Sequence, residues 1–451
     1  MKKFDAVIIG FGKGGKTLAT ELAKNDKTVA VIEKSSKMYG GTCINIACIP
    51  TKSLVHSADN RKYSNTAREE YFTNAVHQKD ELTSLLRNKN FHMLDDQQNI
   101  MVITGEATFL NDEKIQVKTE EEQIEIIAEQ IFINTGASPI VPPIDGLENT
   151  DFIYDSTTLQ ELEQLPEKLI IIGGGYIGLE FASMYANFGS EVTVIDGNEE
   201  FLPKEDKDIA EEAKKVLEAK SVKIVPNSKV KSVKNKDGGV IVTYKEGDSN
   251  REVYGNAILL ATGRKPNTEN LGLENTSVEV NDRGAVVVDD ALKTTAKNIW
   301  ALGDVNGGPQ FTYISLDDFR IVKDQLFGDG SYTKKDRTNI PYSVFIDPIL
   351  SHVGLNEKMA KEKGIEYKVL SIPAAGIPRA RILEKTEGLL KALIDPKTNE
   401  ILGCTLFCAE SSEMINVVKV AMEARLPSTF LRDTIFTHPT MSESLNDLFG
   451  S

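Results

Sequence analysis

The sequence predicts an α/β protein: two Rossmann-like dinucleotide-binding units followed by a C-terminal α+β part. Three observations predict it. A chain of 451 residues exceeds what one hydrophobic core supports, so several domains are expected. A pattern of apolar strand, glycine turn, helix, second strand and terminal acid occurs twice with the same spacing. From about residue 336 that pattern gives way to short alternating segments mixed with amphipathic helices.

The first unit opens with Ala6-Val7-Ile8-Ile9, an apolar run suited to a parallel strand buried on both faces. It leads into Gly10-Phe11-Gly12-Lys13-Gly14-Gly15, and a helical pattern follows from Lys16 to Ala23. Val29-Ala30-Val31-Ile32 is the next strand, and Glu33 ends it. Gly10, Gly12 and Gly15 permit a tight turn and close approach of a pyrophosphate to the helix N-terminus, whose free N–H groups stabilise it. Glu33 lies 23 positions after Gly10, near the spacing of ~20 at which an acid accepts hydrogen bonds from a ribose. Residues 56–95 read as helix, polar and charged on one face. His56, His77 and His92 on it read as solvated or structural. Residues 100–133 alternate in short segments and predict a β-meander or hairpins. Phe132-Ile133-Asn134 is then a strand running into Thr135-Gly136, and Val141-Pro142-Pro143 suits a crossing between domains.

The second unit repeats the first. Leu169-Ile170-Ile171-Ile172 precedes the turn of Gly173, Gly175 and Gly178, a helix runs to about Phe188, and Val192-Thr193-Val194-Ile195 ends in Asp196. Asp196 again follows the first glycine by 23 positions. Ile258 to Ala261 is a strand into Thr262-Gly263. Two such units imply two dinucleotides, an arrangement used to pass electrons from nicotinamide to flavin. Asp196 is followed by Glu199 and Glu200, with no basic residue before Lys204. Those acids would repel a 2′-phosphate, and Asp196 would accept a hydrogen bond from a 2′-hydroxyl, so NADH is expected over NADPH.

Composition narrows the class. A net charge of −15 argues against nucleic acid or an anionic membrane as partner. No apolar run approaches the ~18 residues of a membrane span. Met1 to Asp5 leads into a first strand and not a signal peptide. Four cysteines in a chain this long do not make a secreted disulfide framework, so a cytoplasmic location is expected by default. Cys404 and Cys408 lie at i and i+4 of a strand-like segment, too far apart to bridge, and read as buried apolar cysteines.

Cys43 and Cys48 differ. A regular helix would separate them by about 7.5 Å along its axis at ~1.5 Å per residue, whereas a disulfide needs Cα atoms within roughly 7 Å. A bridge therefore requires a distorted backbone between them. Gly40 and Gly41 give a loop entry, and Pro50 suits the first turn of a following helix. Taken alone, the pair reads as two buried thiols, a structural disulfide, or a strained, easily reduced redox pair.

The segment Gly40-Gly41-Thr42-Cys43-Ile44-Asn45-Ile46-Ala47-Cys48-Ile49-Pro50-Thr51-Lys52 resembles the active-site segment of the flavin-dependent pyridine nucleotide-disulfide oxidoreductases. That family includes dihydrolipoamide dehydrogenase, glutathione reductase and mercuric reductase. The resemblance implies that the first unit holds FAD, with Gly41, Thr42, Lys52, Thr135 and Gly136 at its site. Ile299-Trp300-Ala301-Leu302-Gly303-Asp304 is similar to the family's second flavin segment, which implies that Asp304 binds the ribityl chain. The nicotinamide cofactor then falls to Gly173, Gly175, Gly178, Asp196 and Gly263. The implied domains are 1–145 and 265–335 for FAD, 146–264 for NAD(H), and 336–451 for dimerisation in a homodimer.

Phe436-Thr437-His438-Pro439-Thr440-Met441-Ser442-Glu443 resembles the family's His-Pro-Thr segment, with a Glu five residues after the His. The resemblance implies that His438 faces the cysteines of the partner subunit. A thiol is a poor nucleophile until an imidazole takes its proton, and a carboxylate such as Glu443 can orient that imidazole. By the same pattern Cys48 is the sulfur beside the flavin, Cys43 the exchanging thiol, and Lys52 and Glu180 an ion pair near flavin N5. Gln310-Phe311-Thr312-Tyr313, Ile377-Pro378-Arg379-Ala380 and the ending Ser442 to Phe449 resemble the RclA-type branch, which is associated with reactive-chlorine resistance and copper(II) reduction. Three readings follow. One is an NADH-dependent reductase of a metal ion or oxidant, with no resident metal. The others are a dihydrolipoamide dehydrogenase and a non-enzymatic flavoprotein redox sensor.

Overall fold

A computed structural model describes residues 1–451, arranged in two compact units. The first comprises Met1–Leu54, Asn74–Ile140 and Gly263–Arg337; the second comprises Val55–Thr73, Val141–Thr262 and Thr338–Ser451. Chain order begins with β1 (Lys2–Ile9), α1 (Lys13–Lys24), β2 (Val29–Glu33), α2 (Thr42–Asn45), α3 (Cys48–Asn60), α4 (Arg68–Asp95), β3 (Ile100–Thr104) and β4 (Gln123–Ile133). It continues with β5 (Lys168–Ile172), α5 (Tyr176–Phe188), β6 (Glu191–Ile195) and β7 (Ala257–Leu260), then β8 (Ile299–Ala301) and α6 (Thr312–Phe327).

In the first unit β3, β2, β1 and β4 lie side by side, all parallel, with β8 parallel to β4. Successive strand residues point to opposite faces. Val7, Ile9, Ala30, Ile32, Ile131 and Ile133 enter one core, while Ala6, Ile8, Val29, Val31 and Phe132 join Leu18 and Leu22 of α1 in another. Burial on both faces is why β1 and β2 read as unbroken apolar runs.

Two expectations are corrected here. The meander covers only residues 106–133, because Ile100–Thr104 joins the parallel sheet. It stands at the sheet edge with Met101 exposed, so it alternates as a hairpin strand would. The helix over 56–95 is interrupted: α3 ends at Asn60, a 3₁₀ turn covers Arg61–Tyr63, and α4 begins at Arg68. Ser64 helps to make the break, its hydroxyl accepting from the Thr66 N–H at 3.2 Å.

In the second unit β6, β5 and β7 are parallel neighbours, flanked by Val222–Val225 and Ile153–Tyr154. Tyr71 and Phe72 of α4 pack on Tyr185 and Phe188 of α5, which draws residues 55–73 into this unit. Residues 342–407 form a five-stranded antiparallel sheet, and helix Ser411–Glu423 packs its apolar face on it. Cys404 and Cys408 are unlinked and buried in that core, and burial pushes both thiols up. The protein is thus α/β with a C-terminal α+β domain.

Candidate active site

The redox segment rests on glycine. Gly40 and Gly41 have φ of 95° and 76°, the left-handed region that other residues avoid. A Cβ on Gly41 would lie 2.7 Å from Gly12 Cα, so the segment lies backbone against backbone on the first glycine turn. From Gly41 the chain enters α2, which ends at Asn45; Ile46 and Ala47 leave the helix, and Cys48 opens α3. The break required for two cysteines five positions apart to meet is therefore present. Asn45 braces it: Nδ2 donates to the Tyr39 and Gly41 carbonyls at 2.9 Å each, and Oδ1 accepts from Arg87 Nε at 2.8 Å.

Cys43 and Cys48 are thiols hydrogen-bonded to one another. Thr312 Oγ1, at the start of α6, lies 3.3 Å from Cys48 Sγ. The two sulfurs are not equivalent. The hydrogen bond from Cys43, against burial and with help from Thr312 and Lys52, lowers the Cys48 thiol to about 6. Donating that bond, together with burial and the nearby Cys48 charge, pushes the Cys43 thiol up. These effects favour the charge on Cys48 and the proton on Cys43.

Around them the first unit forms a cradle. Gly10 has φ of 103°, and a Cβ there would lie 2.3 Å from the Asn134 carbonyl. Gly12, the N-cap of helix α1, has no side chain to cap it; Ser315 and Asn134 take the Gly14 and Gly15 N–H groups, which leaves the earlier N–H groups of the turn for an anion. Glu33 is buried and accepts from the Phe11 N–H at 3.0 Å and the Ser35 N–H at 3.3 Å; burial pushes its carboxyl up. Asn134 Oδ1 accepts from the Gly15 N–H at 3.0 Å, and its Nδ2 donates to the Leu302 carbonyl at 2.7 Å. Ser315 Oγ accepts from the Gly14 N–H at 3.1 Å. Thr135 Oγ1 donates to the Asn267 carbonyl at 2.7 Å, and a Cβ on Gly136 would lie 4.0 Å from Thr42 Oγ1. Asp304 follows Gly303 (φ 73°), and burial pushes its carboxyl up despite Arg264. A glycine turn opening a helix, a buried acid at the end of β2 and a desolvated carboxylate fit the diphosphate, ribose and polyol of FAD.

The second unit has its own glycine turn. Gly173 has φ of 110°, and Cβ atoms on Gly173 and Gly178 would lie 2.4 Å and 2.2 Å from backbone oxygens. Gly175, the N-cap of α5, faces open space. Asp196 is buried and accepts from the Asn198 amide at 3.1 Å and 3.2 Å. Gly263, past β7, has φ of 111° and turns the chain. Glu180 accepts from the Phe345 N–H at 2.8 Å. At the far end of the chain, His438 Nδ1 and Glu443 Oε2 are 2.7 Å apart, and the imidazole is 71% exposed. Glu443 also accepts from the Thr440 N–H at 3.1 Å, and His438 holds its carboxyl below the usual range. Lys52 belongs to the first unit and Glu180 to the second.

A cysteine pair beside a glycine-turn cradle, in a chain that also carries a histidine oriented by a glutamate, matches a known design. The model of the pyridine nucleotide-disulphide oxidoreductases covers residues 4–318, and that of their dimerisation domain covers 340–449. The chain belongs to the pyridine nucleotide-disulphide oxidoreductases. It is 52% identical over 450 residues to the probable pyridine nucleotide-disulfide oxidoreductase RclA of Escherichia coli, covering 100% of this chain and 99% of that one. It is 34% identical to a Bacillus cereus mercuric reductase, over 98% of this chain and 70% of that one, and 32% identical to a Bacillus subtilis dihydrolipoyl dehydrogenase, over 97% and 94%. A solved structure described as the Cu(II) complex of the HOCl-induced flavoprotein disulfide reductase RclA from Escherichia coli superposes with a TM-score of 0.95 at 52% identity, over 100% of this chain and 99% of that one. As a member of this oxidoreductase family the chain is an enzyme using FAD and a nicotinamide nucleotide, and its dimerisation domain supports a homodimer. No helix is long and apolar enough to cross a membrane.

Three residues at these sites escape sequence reasoning. Thr312 touches the redox sulfur, and its segment stood out only as a branch feature. Asn134 ties the first glycine turn to the strand before Asp304, yet in sequence it is one more polar residue at a strand end. Glu205 is 5% exposed and accepts from the Tyr176 and Tyr342 hydroxyls at 2.5 Å and 2.7 Å beside the second glycine turn. Nothing in its charged neighbourhood marks it.

Proposed function

We propose that the chain passes electrons from NADH, with FAD as its resident cofactor, through Cys43 and Cys48 to a metal ion such as copper(II) or to an oxidant of the reactive-chlorine kind. The observation that carries this reading is the cysteine pair itself, Cys43 and Cys48 brought together across the break between α2 and α3, with Thr312 Oγ1 3.3 Å from the Cys48 sulfur. Support for the acceptor comes from the Escherichia coli relative, described as HOCl-induced and in complex with Cu(II).

FAD, when bound, supplies two-electron transfer between nicotinamide and sulfur. Gly10, Gly12, Gly15 and the N-terminus of α1 hold its diphosphate, Glu33 a ribose, and Asp304 the polyol; Gly41, Thr42, Thr135 and Gly136 line the path to the cysteines. Gly173, Gly175 and Gly178 hold the NADH diphosphate. Asp196 takes the ribose hydroxyl and, with Glu199 and Glu200, disfavours a 2′-phosphate. Lys52 lowers the Cys48 thiol electrostatically, and the family pattern assigns Glu180 with it to the flavin ring.

Reduction of a Cys43–Cys48 disulfide breaks the S–S bond with two electrons and one proton, leaving a thiol at Cys43 and a thiolate at Cys48. His438 of one subunit, oriented by Glu443, removes the Cys43 proton on the other when that sulfur attacks or binds the acceptor. The assay that decides the acceptor compares copper(II) with dihydrolipoamide under steady-state NADH oxidation. Faster turnover with copper(II) is expected, and faster turnover with dihydrolipoamide would reassign the enzyme.

A further inference from the structure

Lys16 is buried, with 6% of its surface exposed. Its Nζ donates to the Gly40 carbonyl at 3.3 Å and to Asn90 Oδ1 of α4, and both acceptors are neutral. A buried ammonium without an anion is costly, and an apolar side chain would fill the same space without that cost. Its position adds to the cost. Lys16 lies in the first turn of α1, where the helix dipole disfavours a cation. The charged groups around it make matters worse: Lys13 is on its own helix, and Arg87 lies one turn from Asn90 on α4. The titratable groups on the adjoining segment are Tyr39, Cys43, Cys48 and Lys52. Of these, Cys43 is coupled electrostatically to Lys16 in both directions, and the carbonyl that Lys16 holds is three residues before it.

We propose that Lys16 is the counter-charge of the redox pair: its buried ammonium stabilises the negative charge of the reduced pair, most strongly when that charge is on Cys43, which makes Cys43 easier to deprotonate and the disulfide easier to reduce. The proposal rests on the dithiol reading of the site and is independent of the acceptor. It assigns Lys16 to positioning and electrostatics, since it acts through the Gly40 loop and through space and touches neither sulfur. Burial and Lys13 lower the Lys16 ammonium to about 8, so its charge is present at neutral pH and lost above that value.

The experiment uses the purified full-length flavoprotein and its Lys16→Met and Lys16→Arg variants. Two quantities are read: the pH dependence of Cys43 alkylation in the reduced protein, located by mass spectrometry, and the dithiol–disulfide equilibrium against a thiol redox buffer. Lys16→Met is expected to slow Cys43 alkylation about tenfold at pH 7. It should also shift the equilibrium toward the disulfide, by less than that tenfold because the resting charge favours Cys48. Lys16→Arg should stay close to the parent, and the difference between parent and Lys16→Met should shrink above pH 8. If Lys16→Met does not fold, Lys16→Gln keeps a donor to Gly40 without the charge and gives the same readouts. Unchanged alkylation and equilibrium in the charge-free variant would overturn the proposal. So would a weakened FAD dissociation constant with both readouts unmoved, which would make Lys16 the counter-charge of the cofactor's diphosphate. A parent protein with no dithiol–disulfide couple at all would instead refute the reading of the site on which this one rests.

Discussion

Replacing Thr312 by Val tests how the anionic sulfur is stabilised. The substitution keeps the shape of the side chain and removes the hydroxyl 3.3 Å from Cys48 Sγ. A hydrogen bond to a charged group contributes about 1.5–3 kcal/mol, and the long contact to sulfur places this one near the lower bound. At 1.36 kcal/mol per unit the Cys48 thiol should rise by about one unit from its value of about 6. The Cys43 hydrogen bond, which dominates the lowering, stays in place. In the parent Cys48 would be mainly thiolate at pH 7, against a few per cent for a free cysteine. The direction follows from the depressed value: the thiolate is present above about pH 6 and lost as pH falls through it. The acid limb of the pH–rate profile should therefore move upward in the variant. Thiolate absorbance of the reduced protein, titrated from pH 4 to 9, reads the change directly, and Thr312→Ser should restore the parent curve. A Thr312→Val titration superimposable on the parent would show that the hydroxyl does not hold the charge.

Cys48→Ser should stop transfer to the acceptor while NADH still reduces the flavin, and Cys43→Ser should leave a thiolate beside the oxidised flavin, visible as a long-wavelength absorption band absent from Cys48→Ser. Substantial copper(II) reduction in the double variant would remove sulfur from the path for that acceptor. His438→Ala should lower turnover by the ~10²–10⁴-fold typical of a lost acid–base group; a loss below tenfold would move the proton transfer to another residue. The parent should show the higher kcat/KM with NADH, and Asp196→Ala should relax that preference; a parent that favours NADPH would contradict the role given to the acids after β6.

Much of this arrangement is legible in the sequence because it is locally encoded. A strand buried on both faces must be an apolar run, so β1, β2, β5 and β6 announce themselves. The glycines at 10, 173 and 263 sit where only positive φ closes the turn. The edge strand β3 was misread for the converse reason: one solvated face gives it the alternation of a hairpin. The cysteine pair could be found from its spacing and family pattern, whereas Thr312 comes to it from 264 positions away. A contact of that separation leaves no periodic trace, and neither do the two hydrogen bonds of Asn134 or the burial of Lys16, which reads as an ordinary surface lysine in a charged helix.

The contact of Gly41 with Gly12 has a consequence for how such an enzyme can change. A Cβ on Gly41 would lie 2.7 Å from Gly12 Cα, and one on Gly12 would lie 2.5 Å from Asn134 Oδ1, so the redox loop cannot take a side chain there without moving the cofactor turn, and the turn cannot take one without moving the strand end behind it. Adaptation to a new acceptor must then be sought elsewhere. The mercuric reductases and dihydrolipoyl dehydrogenases, alike to this chain at about a third of positions, are named for different chemistries. The rigid seam offers a physical reason to look for the origin of that divergence in the surfaces that receive the acceptor, with the electron-delivering centre inherited as a block.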